Sequence, residues 1–340
     1  MSKPSLVYGS TIEESKHDPG FLSLCYHYIR PDDDDTCLLG TSQSEFEAHL
    51  IELGREYEYV SLEQVYDYYH QGVVSWERPG LLITFDDGLD DHYAAAQILA
   101  EHGIQAAFYI PTCILEERLP ANPIIIHYAL SRYRISGFLA AYRAALDANE
   151  LSRDLYDVII LPEDDSWSVI RKIKQRTKYD LGYKNSQAVL LHIYHHQLMA
   201  ADHEIMETMH LNEQQIAEMI SMGHHIGAHS YSHPSIAASR LSGPDYQKEV
   251  VDPMLQLQRR FDISIPTMSY PFGGKKDCLE LSMSERSEHS YSVVFTVDKK
   301  LNQSSTNPLD LGRYMPMSTD TASGVMSILA RISAAGGVVI

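Results

Sequence analysis

Two aspartates end one apolar run and two histidines end another. Residues 81–87 read LLITFDD, closing on Asp86 and Asp87, and residues 225–233 read HIGAHSYSH, closing on His229 and His233. Adjacent carboxylates at the end of a buried strand repel each other and resist leaving water unless a cation or hydrogen-bond donors meet them. Imidazoles four residues apart share a face on a helical turn and can then grip one ion. One carboxylate beside them completes three protein ligands and leaves a position for water, the composition of a hydrolytic metal centre. Each half is a loose signal alone: the chain holds 17 histidines, and an Asp pair can also cap a helix. Both halves stand where a predicted strand meets its loop, and that shared placement makes them read as one site.

The elements around them must bring distant parts of the chain together. FLSLCYHYI (residues 21–29) reads as a strand, followed by the turn RPDDDD, whose like charges mark a solvated loop. TSQSEFEAHLIELGREY opens on a capping box, Ser42 to Glu45, and carries Phe46, Leu50 and Leu53 on one helical face. A strand at YVSL, a helix over about 61–71, the strand LLITF, a helix ending on Gly103 and the strand AAFYI follow. Strands alternating with helices predict β-α units around a parallel sheet or barrel. From about 113 to 210 the rhythm becomes helical, rich in Tyr, Leu and His. Alternation then resumes with a helix capped by Asn212 and stopped at Gly223, strands at HIGAHS, TMSYPF, SVVFTV and LGRYMP, and helices near 246–261 and 321–333. The expected organisation is one α/β body, 1–112 and 211–340, interrupted by a helical insertion or cap at 113–210.

Composition narrows the partners. The 340 residues carry 46 acidic against 27 basic side chains, a formal charge of −19, which opposes contact with nucleic acid or anionic membrane. The four cysteines form no C-x-x-C pair and read as reduced thiols. No stretch approaches the roughly 18 apolar residues of a membrane span, and the start lacks the apolar core of a secretory signal. A cytoplasmic protein is therefore expected.

TFDDG together with GHHIGAHSYSH resembles the first two motifs of the NodB-homology polysaccharide deacetylases, carbohydrate esterase family four. The resemblance covers residues 20–112 and 212 to about 320, and implies a distorted (β/α) barrel with fewer than eight strands. It also implies Asp86 as general base and Asp87, His229 and His233 as ligands of one divalent metal ion, zinc by default, with cobalt, nickel or iron as alternatives. SYPFGG resembles the third motif, in which a backbone N–H beside the proline holds the oxyanion; Tyr270 takes that role, with Pro271 and Phe272 as supporting residues. That motif usually begins with arginine, where Ser269 stands here, and Arg313 in LGRYMP is the candidate substitute for a partner of the base. The late histidine that supplies the family's general acid is absent. LCYHYIRPDDD resembles a permuted subgroup that includes poly-N-acetylglucosamine deacetylases, in which an early Y-H motif supplies it, and this makes His27 the candidate acid.

The implied reaction is removal of an N-acetyl or N-formyl group from an amino sugar or glycan precursor. An O-acetyl esterase would use the same ligands, and a catalytically silent carbohydrate-binding protein would keep the fold. The insertion is expected to shape substrate choice or to make an oligomer contact.

Overall fold

The computed structural model describes residues 18–156, 165–279 and 291–335. Six parallel strands, Phe21–Tyr26, Gly80–Phe85, Ala107–Ile110, His225–Ala228, Thr267–Ser269 and Val293–Phe295, lie side by side in chain order. Phe21–Tyr26 and Gly80–Phe85 are buried along their whole length, which is why they read as unbroken apolar runs: in a parallel sheet both faces are covered. Glu58–Tyr59 adds a short branch on Gly80 and Leu81.

The sheet curls until its edges are joined by one segment. Leu311 bridges Phe295 and Tyr314 bridges Leu24, both in parallel sense. The Thr296 N–H donates to Leu311 O and the Cys25 N–H to Tyr314 O, each at 2.8 Å. The LGRYMP run thus acts as the closing stave of a (β/α) barrel. Period-two alternation sorts the strand residues into two apolar groups. Phe21, Leu82, Tyr109, Val293, Phe295 and Leu311 pack in one cluster. Leu22, Leu24, Leu81, Ile83, Phe85 and Phe108 pack in another, with Leu50, Leu99, Ile216, Leu257 and Leu329 of the surrounding helices.

Helix starts follow the capping signals. Ser61 with Gln64 and Asn212 with Gln215 form complete capping boxes before Leu62–His70 and Glu213–Ser221. Ser42 accepts the Glu45 N–H at the start of Gln43–Glu56, but the Glu45 carboxylate accepts instead from Ala322 N–H at 3.1 Å, so that box is only half made. The expected YVSL strand lies slightly earlier, at Glu58–Tyr59.

The described residues from 113 to 210 hold helices and no strand longer than a single bridge. The longest, Asn122–Ala148, is broken at Arg134, whose φ of 58° leaves helical space. Its apolar side chains form a separate cluster with Val189, Leu190 and Ile193, joined by Tyr28, Leu38 and Leu89 from the barrel loops. That cluster seats the helices over the barrel mouth. No helix among the described residues is long and apolar enough to cross a membrane.

Candidate active site

Strand geometry explains how the two neighbouring aspartates reach one pocket. Leu82, Thr84 and Asp86 share a face by alternation, so Asp86 continues the inward row at the C-terminal end of its strand. Asp87 would face outward, but its φ of 81° puts it in left-handed space and reverses the chain before Gly88. Both carboxylates are buried and line a cavity of about 320 Å³ together with His27, His229, His233 and Phe272. This is the strand end at which barrels of this kind assemble their sites.

The two histidines share the cavity by a different route from the expected helical turn. His229 to His233 is irregular chain, and Ser230 and His233 have φ of 60° and 66°. This tight bend brings the rings together edge-on, with centroids 4.7 Å apart. Nε2 of His229 and Nε2 of His233 stand 3.4 and 3.1 Å from the same Asp87 Oδ1.

Three observations fit this trio to a divalent ion. Asp87 Oδ1 is buried with no hydrogen-bond partner among the described residues, a costly state unless a cation answers it. One ligand atom from each of the three residues lies within 4.8 Å of the others. The His229 Nδ1–H donates to Ser269 O at 2.8 Å, which fixes the tautomer that leaves Nε2 a free lone pair. Among the described residues His233 lacks such a bond at Nδ1, and its ring packs against the Phe272 ring at 4.5 Å.

Asp86 is held as a charged hydrogen-bond acceptor. Arg313 donates from Nη1 to its Oδ1 at 2.8 Å and from Nη2 to its Oδ2 at 2.7 Å. Ser269 Oγ and Cys25 Sγ also donate to Oδ2, at 2.9 and 3.3 Å. Burial alone would raise the Asp86 pKa; the Arg313 charge, with His229 and the direct hydrogen bonds, overrides it and holds the carboxyl well below the usual range. Arg313 is itself buried between the rings of Tyr109 and Phe295, and its Nε donates to Thr296 O at 3.0 Å. Ser269, standing where the motif arginine was expected, hydrogen-bonds both Arg313 and Asp86.

His27 reaches the same cavity. Its Nε2 is 3.9 Å from Asp87 Oδ2, its side chain is one-third exposed, and its backbone oxygen accepts from Nε2 of the buried His92 at 3.0 Å. A ring nitrogen of His27 also lies within 4.8 Å of an Asp86 oxygen, so the ring stands beside that carboxylate.

Tyr270 does not fit its expected role. Its N–H donates to Phe295 O at 3.0 Å as part of the barrel ladder, and its side chain is buried in the apolar core. A donor spent on a neighbouring strand cannot also hold an oxyanion. Past Pro271, Phe272 turns to φ 62°, and it is Phe272 that lines the cavity.

Sequence reasoning missed several contributors. Cys25 lies opposite Thr84 in the strand register, a pairing that no local pattern announces. Glu249, wholly buried, accepts from the Ser232 N–H at 2.9 Å, Ser232 Oγ at 2.6 Å and Tyr183 Oη at 2.7 Å, and so anchors the histidine bend from a distant helix. His210 donates from Nδ1 to Gly88 O at 3.1 Å and accepts the Ala121 N–H at Nε2, 3.2 Å away. Lys174, Lys178 and His127 reach the cavity from the helical segment.

The polysaccharide deacetylase family model matches residues 177–287. That span takes in His229, His233 and SYPFGG, leaves out Asp86 and Asp87, and begins inside the helical segment, earlier than the motifs suggested. Among solved structures, the Streptococcus pyogenes deacetylase PplD in complex with acetate is similar at 14% identity and TM-score 0.56, with 91% of this chain and 98% of that one covered. IcaB from Ammonifex degensii is similar at 15% identity and TM-score 0.51, over 92% and 97%. A de-N-acetylase from Aggregatibacter actinomycetemcomitans is similar at 14% identity and TM-score 0.53, over 91% and 99%. No curated protein sequence matches the chain. With the curled parallel sheet and the TFDDG and H-x-x-x-H residues meeting at its mouth, the chain has the (β/α) barrel fold of the NodB-type deacetylases and matches the polysaccharide deacetylase family over residues 177–287.

Proposed function

We propose that this protein is a metal-dependent hydrolase that removes an N-acyl group from an amino sugar or glycan precursor. The observation that carries the reading is the unpartnered Asp87 Oδ1 facing two imidazole nitrogens beside an ionised Asp86. Asp87, His229 and His233 would hold the ion. Bound there, a divalent cation supplies Lewis acidity to an acyl carbonyl and acidity to water.

The remaining chemistry belongs to the chain. Asp86 Oδ2 is taken up by Arg313, Ser269 and Cys25, whereas among the described residues Oδ1 accepts only from Arg313. Oδ1 therefore keeps a lone pair for the proton of an attacking water. The N–H of Phe272, in place of that of Tyr270, is the main-chain donor for the oxyanion; such a contact is worth roughly 3–4 kcal/mol. An amide nitrogen leaves only when protonated, and His27, open to the cavity, is the group for that task.

Acetate release from N-acetylglucosamine oligomers tests the reading. Zinc-loaded wild type should release acetate, and chelated protein or Asp86→Ala should fall by at least about 100-fold. Release from O-acetyl esters alone would move the assignment to an esterase. Binding of the oligomers without any release would favour the silent carbohydrate-binding alternative.

A further inference from the structure

The helical segment brings into the cavity two polar groups that the proposed reaction does not use. Lys174, from the helix Ser166–Gln175, and His127, from Asn122–Ala148, line it with Asp87, His229 and His233. The other cations in or behind the cavity wall are answered. Arg313 is taken by Asp86, and Lys178 by Asp277 at 2.9 Å, over the Phe272 ring. The Lys174 side chain has neither a hydrogen bond nor an ion pair among the described residues. Its side chain stands in the open cavity, and desolvation by the walls pulls its ammonium below the ordinary lysine range, although Asp87 acts the other way.

His127 is set as a donor. The Tyr28 hydroxyl lies 3.3 Å from its Nδ1. Burial pushes the Tyr28 phenol well up, and pushes the His127 pKa down to about 3. Both groups are neutral, and in the tautomer where the phenol donates to Nδ1 the ring proton sits on Nε2. No protein acceptor meets that N–H among the described residues. Among the described residues the only acids lining the cavity are Asp86 and Asp87, both committed at the site already described.

We propose that Lys174 and His127 form an anion-receiving subsite, so that the substrate is an N-acyl amino sugar carrying a phosphate or carboxylate group. This rests on the hydrolase reading and narrows its substrate class. A lysine ammonium is a compact point charge suited to phosphate oxygens, and a neutral imidazole N–H adds direction.

The test compares N-acetylglucosamine, N-acetylglucosamine 1-phosphate and N-acetylmuramic acid with the zinc-loaded full chain and its Lys174→Gln variant. Wild type should favour at least one anionic sugar by about tenfold or more in kcat/KM, the scale of a charge-assisted hydrogen bond, and the variant should erase most of that ratio. The phosphate and carboxylate arms identify which anion is taken. Equal treatment of all three sugars by wild type, or an equal loss on all three in the variant, overturns the subsite. Should none be hydrolysed, the hydrolase reading fails and calorimetric binding still decides the subsite. Tighter binding of an anionic sugar to wild type, lost in Lys174→Gln, supports it; equal binding overturns it.

Discussion

Arg313 grips Asp86 with both guanidinium nitrogens, at 2.8 and 2.7 Å, across 227 residues of sequence. The pair lies inside the barrel, and the stave that carries Arg313 also closes it. Removing one partner strands a buried charge, which typically costs roughly 3–5 kcal/mol. Arg313→Met should lose about that much in chemical denaturation, and Arg313→Lys less, because the charge survives while the fork is lost. A loss under about 1 kcal/mol for Arg313→Met would mean that Ser269 and Cys25 suffice to hold the carboxylate.

This pair also marks the limit of what was legible in the sequence. The barrel strands were visible because burial on both faces leaves unbroken apolar runs, and the helix starts because caps are local. Asp86, Asp87, His229 and His233 were visible because they end those runs. The geometry of the histidine bend was not, since spacing alone does not distinguish a helical turn from two left-handed residues. Tyr270 was misassigned because whether an N–H is free depends on the neighbouring strand, Phe295 here. Cys25 and Glu249 were missed for the same reason, since their partners lie far along the chain, and Lys174 because the cavity it lines is assembled from distant segments.

Metal removal should be read most directly in stability. If Asp87, His229 and His233 hold the ion, adding zinc to chelator-stripped protein should raise Tm, because a ligand at 100 times its Kd contributes about 2.7 kcal/mol. His233→Ala should show little or no such rise. Equal shifts in wild type and variant would place zinc elsewhere on the chain.

Glu249 should tune the ion without touching it. Burial raises its carboxyl pKa, against the pull of the Ser232 and Tyr183 donors. Its contacts fix Ser232, the residue before His233. Glu249→Ala frees that bend and should weaken zinc affinity by about 10–100-fold, as for other outer partners of metal ligands, measured by competition with a chromophoric chelator. Unchanged affinity would show that the bend holds itself.

Acid should unfold the protein well above the pH at which Asp86 titrates. Burial lowers His92 and His127 from 6.5 to about 3, and His210 to about 4. The unfolded chain therefore binds more protons than the native one below pH 6.5. These histidines contribute fully above that pH, and their contribution shrinks as pH falls toward the folded values. At about 1.4 kcal/mol per unit, each loses roughly 2 kcal/mol between pH 6.5 and pH 5. Three together approach roughly 6 kcal/mol, comparable with the whole stability of many domains. Asp86, held below the usual carboxylate range, loses its contribution only at more acid pH. Tm should thus fall steeply from pH 7 to pH 5, and His127→Gln should flatten that slope. A Tm constant across this window would mean that the three imidazoles are not held neutral by burial.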